Sequence, residues 1–181
     1  MTPYPVRYHA PPDLIIALAV DTASRGPCAK SKRGVVIYGP HPDFETPMIF
    51  GNAWNAQPWP FECDKSDACK AACGQLCVHA EQRAIFQMLL PPMDELHRFV
   101  RDKRVRYPDP GSLSLVHVKT KDGKLVPSPK GPSCAECSKL VLENKWIGTV
   151  WLYEVEGHWS QYTSTHFHRT TLVNLGLPIT L

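Results

Sequence analysis

No apolar stretch near the N-terminus of this 181-residue chain is long enough to cross a bilayer. The longest there, "LIIALAV" from Leu14 to Val20, falls well short of the roughly 20 residues a membrane helix needs. The segment before it, "MTPYPVRYHAPPD", lacks the basic run of a secretory signal; it is Pro-rich and carries one arginine. No membrane partner is therefore expected, and the expected location is the cytoplasm. Charge of one sign is not in excess either: a net charge of +3 neither demands nor excludes a nucleic-acid partner. Internal repeats and low-complexity segments are missing. The length suits one domain with a sizeable core and is short for two, so residues 1–181 are expected to form a single domain.

What the chain does have is cysteine, seven in all. Without an export signal these are expected to stay reduced, which moves the reading away from a disulfide framework and toward metal ligation.

The hydrophobic pattern gives an order of elements. "PPDLIIALAVDTASRG" starts with Pro and Asp and stops near Gly26, which predicts a helix over about residues 13–24. "RGVVIYG" and "TPMIFGNAW" are apolar and β-branched around a turn-like "PHPDFE", as in a hairpin. The Cys-rich "NAQPWPFECDKSDACKAACGQLC" reads as a loop with a short helical turn. "HAEQRAIFQMLL" reads as a helix closed by Pro91-Pro92. "MDELHRFVRDKRVRYPDPG" starts helical and becomes a basic loop; "SLSLVHVKT" is a third strand, and "KDGKLVPSPKGPS" a turn and loop. "CAECSKLVLENK" is a helix, "TVWLYE" a fourth strand, "STHFHRTTLVNLG" a last helix, and "LPITL" a candidate final strand. This alternation argues an α/β fold: a three-layer α-β-α sandwich around a mixed central sheet of about five strands.

One short motif carries chemistry. In "CVHAEQRAIF", His79 and Glu81 stand two apart at the start of a helix. Alone the pair is weak, since two fixed residues recur by chance. "GPSCAECSKL" supplies Cys134 and Cys137 as Cys-x-x-Cys at the start of another helix, with no thioredoxin-like context. One imidazole and two thiolates make three zinc ligands and leave the fourth tetrahedral position open, as a catalytic zinc requires. Zinc there would bring the pKa of a water toward neutrality, and Glu81, not a ligand, would move that water's proton to the substrate. Both halves sit at helix N-termini, where the dipole favours thiolate and carboxylate.

His-x-Glu followed by Pro-Cys-x-x-Cys is the signature of zinc deaminases, and the chain resembles the cytidine deaminase superfamily, most of all its deoxycytidylate deaminase branch. The resemblance runs over nearly the whole length, through "SKRGVVIYG", "GNAWNAQP", "HAEQRAIFQML" and "CAECSKLVLENKWIGTVWLYE". It implies a cytidine deaminase-like fold. It also implies that Asn55 contacts the sugar or base and that Ala80 lends its backbone N–H to the pyrimidine edge. Two departures stand out. Ser133 is an extra residue between Pro132 and Cys134, where the family has proline directly before the cysteine. The connection from His79 to Cys134 is longer than usual, around "RFVRDKRVRYPDPG".

Five cysteines remain: Cys28, Cys63, Cys69, Cys73 and Cys77. Some members of that branch hold a second, structural zinc, and Cys28 and Cys63 resemble its ligands in position. Cys69 and Cys73, at i and i+4, would share a helical face. A second zinc on Cys28, Cys63, Cys69 and Cys73 is thus one reading, and small buried thiols the other. At least one of the five is spare, since a closed site takes four ligands. Arg98, Arg101, Lys103, Arg104 and Arg106 fit a solvated face or a phosphate clamp. Trp54, Trp59 and Phe61 fit loop packing or base stacking. His117, His158, His166 and His168 show no ligand spacing.

The expected activity is zinc-dependent hydrolysis of a cytosine nucleotide, dCMP to dUMP and ammonia, with zinc-bound hydroxide attacking C4 and Glu81 as proton shuttle. The alternative is a deaminase acting on cytosine or adenine in single-stranded DNA or RNA, which would add an open basic and aromatic groove. A catalytically dead zinc domain is disfavoured by the presence of Glu81. The implied cofactor is one catalytic zinc, with a structural second left open. The expected partners are a small-molecule nucleotide and further copies of the chain.

Overall fold

The computed structural model describes residues 10–28, 31–41, 44–58, 61–89, 108–128 and 133–179. The arginine-rich run at Arg98, Arg101, Lys103, Arg104 and Arg106 lies outside the described residues, as do Trp59 and Pro132.

Helix α1 (Asp13–Arg25) begins directly after Pro12 and turns Ile15, Ala19 and Ala23 inward, a one-sided stripe at the spacing of helical turns. Strands β1 (Lys32–Gly39) and β2 (Met48–Trp54) pair antiparallel, as the hairpin pattern predicts. Helix α2 (Asp67–Leu76) is longer than the short turn expected there. Ser66 starts it, its hydroxyl accepting from the Cys69 N–H at 3.0 Å. Helix α3 (Ala80–Leu89) follows almost at once.

Strand β3 (Leu113–Lys121) is central. It pairs antiparallel with β1 along one edge, so its other edge is shared by β4 (Lys124–Val126), antiparallel, and β5 (Ile147–Tyr153), parallel. The parallel step is made through helix α4 (Ala135–Glu143). Strand β6 (Trp159–Thr163) pairs antiparallel with β5 and leads directly into α5 (Ser164–Asn174), where Thr163 caps by accepting from the His166 N–H at 3.1 Å. The path order is β2-β1-β3-β5-β6, and with β4 the described residues form a mixed sheet of six strands where about five were expected.

Side chains alternate across this sheet. Val35, Ile37, Leu115, Val150 and Leu152 face Ala80, Ala84 and Ile85 of α3, Val141 of α4 and Phe167 of α5. Val36, Val116, Val118 and Trp151 face Ile15, Ala19 and Ala23 of α1. Helices on both faces make the three layers. Two glycines set how closely helices approach. A Cβ on Gly34 would lie 2.6 Å from the Ala19 carbonyl oxygen, and one on Gly51 would run into the Ala84 carbonyl of α3. Each lets a helix backbone rest on the strand.

Three sequence expectations need correction. The turn expected at "KDGKLV" leads into a paired strand rather than a loop: Asp122 and Gly123 both take positive φ, at 51° and 73°, the geometry of a two-residue primed turn. Strand β6 went unforeseen, because "WSQYT" is short and buries little beyond Ser160. The final strand at "LPITL" does not form over residues 177–179, the part of it within the described residues. No helix among the described residues is long and apolar enough to cross a membrane.

Candidate metal and catalytic centre

The centre is built where two helices begin against the same face of the sheet. Chain entry into α3 is fixed by a bridge between Ala56 and Val78: Val78 N–H donates to the Ala56 carbonyl at 2.8 Å, and Ala56 N–H returns at 3.2 Å. His79 stands next, before the first helical residue. Its own backbone N–H donates to Gln82 Oε1 at 3.1 Å, half of a capping box that fixes its position. At α4 the metal-binding type of residue is itself the cap: Cys134 is the N-cap, and its sulfur accepts from the Cys137 N–H at 3.3 Å.

The two starts converge. His79 Nδ1 lies 3.2 Å from Cys134 Sγ and 3.2 Å from Cys137 Sγ, and all three donor atoms fall within 4.8 Å of one another. A tetrahedral zinc with ordinary bond lengths spaces an imidazole nitrogen and a thiolate about 3.5 Å apart. The observed cradle is close to that size, and its nitrogen-and-sulfur donor set suits zinc.

The electrostatics fit as well. The Cys134 thiol is pulled down to about 4, first by its hydrogen bond with Cys137 and then by His79 and the Cys137 N–H, against the opposing effect of burial. Cys137, hydrogen-bonded to Cys134 and buried, is pushed up. Hydrogen bonding to Cys134 raises His79, although burial opposes it. A cation entering this site would therefore displace protons from His79 and Cys137.

Glu81, in the first turn of α3, is 2% exposed. Burial pushes its carboxyl upward, but His117, the Ser133 hydroxyl, its own backbone N–H and His79 together hold it below the ordinary range. Ser133 Oγ donates to Glu81 Oε1 at 2.7 Å, and His117 Nδ1 lies 3.3 Å from the same oxygen. Behind His117, Arg33 Nη1 lies 3.4 Å from Nε2. Ser133, His117 and Arg33 are residues that sequence reasoning missed as parts of the site. The available signal was Ser133 itself, the extra residue in the Pro-Cys motif.

The two other predicted contacts fare differently. Asn55 is 4% exposed and engaged with backbone: Oδ1 accepts from the Arg33 N–H at 2.8 Å, and Nδ2 donates to the Ser31 carbonyl at 2.9 Å. Any contact with a substrate is left to its remaining N–H and lone pair. Ala80 packs its methyl into the core, and its N–H belongs to the first helical turn, where no intrahelical acceptor exists.

A second cluster forms from the spare cysteines, with a different membership from the expected one. Cys28 Sγ lies 3.4 Å from Cys73 Sγ, which lies 3.4 Å from Cys77 Sγ, and the three sulfurs fall within 4.8 Å of each other. Cys63 Sγ lies 3.5 Å from Cys69 Sγ, with Gln57 Nε2 donating to Cys69 Sγ at 3.3 Å. Of the expected Cys28, Cys63, Cys69 and Cys73, the structure brings Cys28 and Cys73 together with Cys77. Burial first, then hydrogen bonds from Cys28 and Cys77, push the Cys73 thiol up to about 12. Burial likewise raises Cys77; its hydrogen bond with Cys73 opposes this, and Cys28 and then Cys63 add to it. A cavity of about 690 Å³ opens here, lined by Cys28, Cys63, Lys32, Lys65, Gln57 and Phe61. Phe61 is 68% exposed and so does not pack on the core. Of the other histidines, His168 Nδ1 lies 2.9 Å from Ser138 Oγ and His166 sits against the Tyr162 ring.

No family model and no curated protein matches the chain. Among solved structures, a cytidine deaminase from Burkholderia pseudomallei is similar at 14% identity, over 86% of this chain and 94% of that one, with a TM-score of 0.46. A dCMP deaminase from the cyanophage S-TIM5, in complex with dCMP and dUMP, is similar at 17% identity, over 78% of this chain and 82% of that one, with a TM-score of 0.41. Both scores are under 0.5, so the chemistry of the site rests on its own geometry.

Proposed function

We propose that the chain, as a single domain, is a zinc-dependent hydrolase that deaminates a cytosine nucleotide, dCMP to dUMP with release of ammonia. The observation that carries this reading is the convergence of His79 Nδ1, Cys134 Sγ and Cys137 Sγ beside a buried carboxylate that is not among the three donors. His79, Cys134 and Cys137 would hold the zinc. Bound there, zinc supplies Lewis acidity that brings the pKa of a water toward neutrality.

The chain's own residues do the rest. Glu81, buried and hydrogen-bonded by Ser133, can take a proton from water and pass it to the pyrimidine ring nitrogen; it would then take the proton of the hydroxyl newly formed at C4 and deliver it to the departing amine. Ser133 fixes the carboxylate's orientation through Oε1. The Ala80 N–H, free of any helical acceptor, would meet the pyrimidine edge, and Asn55 would keep the adjoining strand ends together while reaching the sugar or base.

We assign to the second cluster a structural zinc held by Cys28, Cys73 and Cys77. Cys63, which lines the same cavity as Cys28, would be the fourth ligand. Burial and the neighbouring thiols raise Cys73, burial and Cys28 raise Cys77, and a bound cation would remove that cost by ionising them.

The deciding experiment incubates the zinc-loaded protein with dCMP, deoxycytidine and single-stranded DNA or RNA, and measures ammonia and uracil. Turnover of dCMP supports the reading. Inert dCMP together with salt-sensitive deamination of a single strand would replace it with a nucleic-acid deaminase, since each phosphate contact adds a log–log salt slope of about −0.7.

A further inference from the structure

His117 is a buried polar residue in the middle of an apolar strand, and its two ring nitrogens have different neighbours. It sits opposite Val35 in the β1–β3 register, and its Nδ1 meets Glu81 of α3, the helix covering that face of the sheet. Nε2 lies 3.4 Å from Arg33 Nη1, and Nδ1 lies 3.3 Å from Glu81 Oε1. A guanidinium carries donors only and keeps all its protons, so the nitrogen facing Arg33 can act only as an acceptor. A second proton on the ring would have to go to Nε2, against that cation. The single proton of a neutral imidazole is thereby placed on Nδ1, toward the carboxylate.

Oε1 of Glu81 then accepts a hydrogen bond from Ser133 Oγ at 2.7 Å and meets His117 Nδ1 at 3.3 Å. The second contact is an ion-pair approach not yet closed into a hydrogen bond, and polar contacts of this kind in substrate-free catalytic sites often tighten only when substrate is bound. With both side chains turned to Oε1, Oε2 is the oxygen with no side-chain hydrogen bond among the described residues. We propose that His117 is a positioning residue for Glu81, locked by Arg33 in its Nδ1–H tautomer so that it holds Oε1 and leaves Oε2 to carry the proton. The inference rests on the reading of Glu81 as the proton shuttle. It adds which oxygen of the carboxylate moves the proton and what selects it.

Two measurements test it. In the zinc-loaded protein, nitrogen-15 NMR should find the His117 ring protonated at Nδ1 and bare at Nε2 near neutral pH. This arm needs no substrate, and a ring protonated at Nε2, or at both nitrogens, overturns the tautomer lock whatever the chain turns over. In the kinetic arm, His117→Leu should keep its zinc and its KM within about twofold while kcat falls about tenfold or more, the scale of one hydrogen bond to a charged group. His117→Gln, which retains a donor, should recover part of that loss. A fully active His117→Leu beside an inactive Glu81→Gln overturns the positioning role and leaves the shuttle standing. An active Glu81→Gln overturns the shuttle, and the positioning role with it. Should His117→Leu lose its zinc, the tautomer in the wild-type protein decides.

Discussion

Ser133 donates its hydroxyl proton to Oε1 of Glu81 across 2.7 Å, although 52 residues separate the two in the chain. A buried carboxylate that loses such a donor loses about 1.5–3 kcal/mol of support for its charged form. Ser133→Ala is therefore expected to lower kcat by about tenfold or more at unchanged zinc content. Steady-state kinetics beside elemental analysis checks this. An unaltered kcat would mean that Ser133 only fills space.

Glu81→Gln separates proton transfer from metal binding. It should retain full zinc and lose at least about a hundredfold in turnover, the lower end for general acid–base catalysis. Cys134→Ala and Cys137→Ala should do the reverse and release the metal from the site, which metal analysis after gel filtration would read directly. Near wild-type turnover in Glu81→Gln removes the carboxylate from the mechanism.

Zinc stoichiometry distinguishes the two sulfur groups. The wild-type protein and Glu81→Gln should both carry about two zinc ions per chain. Cys28→Ser, Cys73→Ser and Cys77→Ser should each bring that to about one, whereas Cys69→Ser, whose thiol meets Cys63 and Gln57 instead, should leave it at about two. Loss of zinc in Cys69→Ser would reinstate the set suggested by spacing alone. A wild-type value near one would dismiss the second centre.

Thiol reactivity in the metal-free protein has a sign that can be worked out. Cys134, pulled down to about 4, is expected to be ionised through the neutral range, whereas Cys73, pushed up to about 12, stays protonated there. Since the thiolate is the nucleophile, alkylation at about pH 6 should label Cys134 well ahead of Cys73. Saturating zinc should protect Cys134. Peptide mass spectrometry after a short pulse of reagent gives the order, and equal labelling of the two would contradict it.

How far the sequence could be read depended on how local the signal was. Helices α1, α3 and α4 and the β1–β2 hairpin announce themselves through period and punctuation, and α1 begins at the expected Asp13. The β4 hairpin carried its Asp-Gly signal too, but the three-residue strand beyond it was masked by the Pro-rich segment that follows. Strand β6 holds together through pairing with β5 rather than through any apolar run of its own. The same distinction runs through the site. His79, Glu81, Cys134 and Cys137 follow from motif spacing, because a helix start presents residues two or three apart to one point. Arg33 and His117 are 84 residues apart and meet only because β1 and β3 lie side by side in the sheet. Likewise Cys77 reads as a bystander to His79 until the end of α2 brings it beside Cys73 and Cys28.

Gly51 gives the centre a calibration that no ligand supplies. His79 arrives on one helix and Cys134 on another, so the gap between them is set by how deeply each helix is seated on the sheet. On the α3 side the depth stop is a residue with nothing beyond Cα, against which the Ala84 carbonyl rests. A single methyl there would act as a shim. Overpacking of this kind ordinarily costs about 1–3 kcal/mol, but here the displacement would also be transmitted along a rigid helix to its first turn, where His79 and Glu81 stand. A few tenths of an ångström of lift is a tolerable insult to a hydrophobic layer and a large error for a metal bond. The tolerances of the centre are thus written on the far side of the helix, at a position that touches neither metal nor substrate.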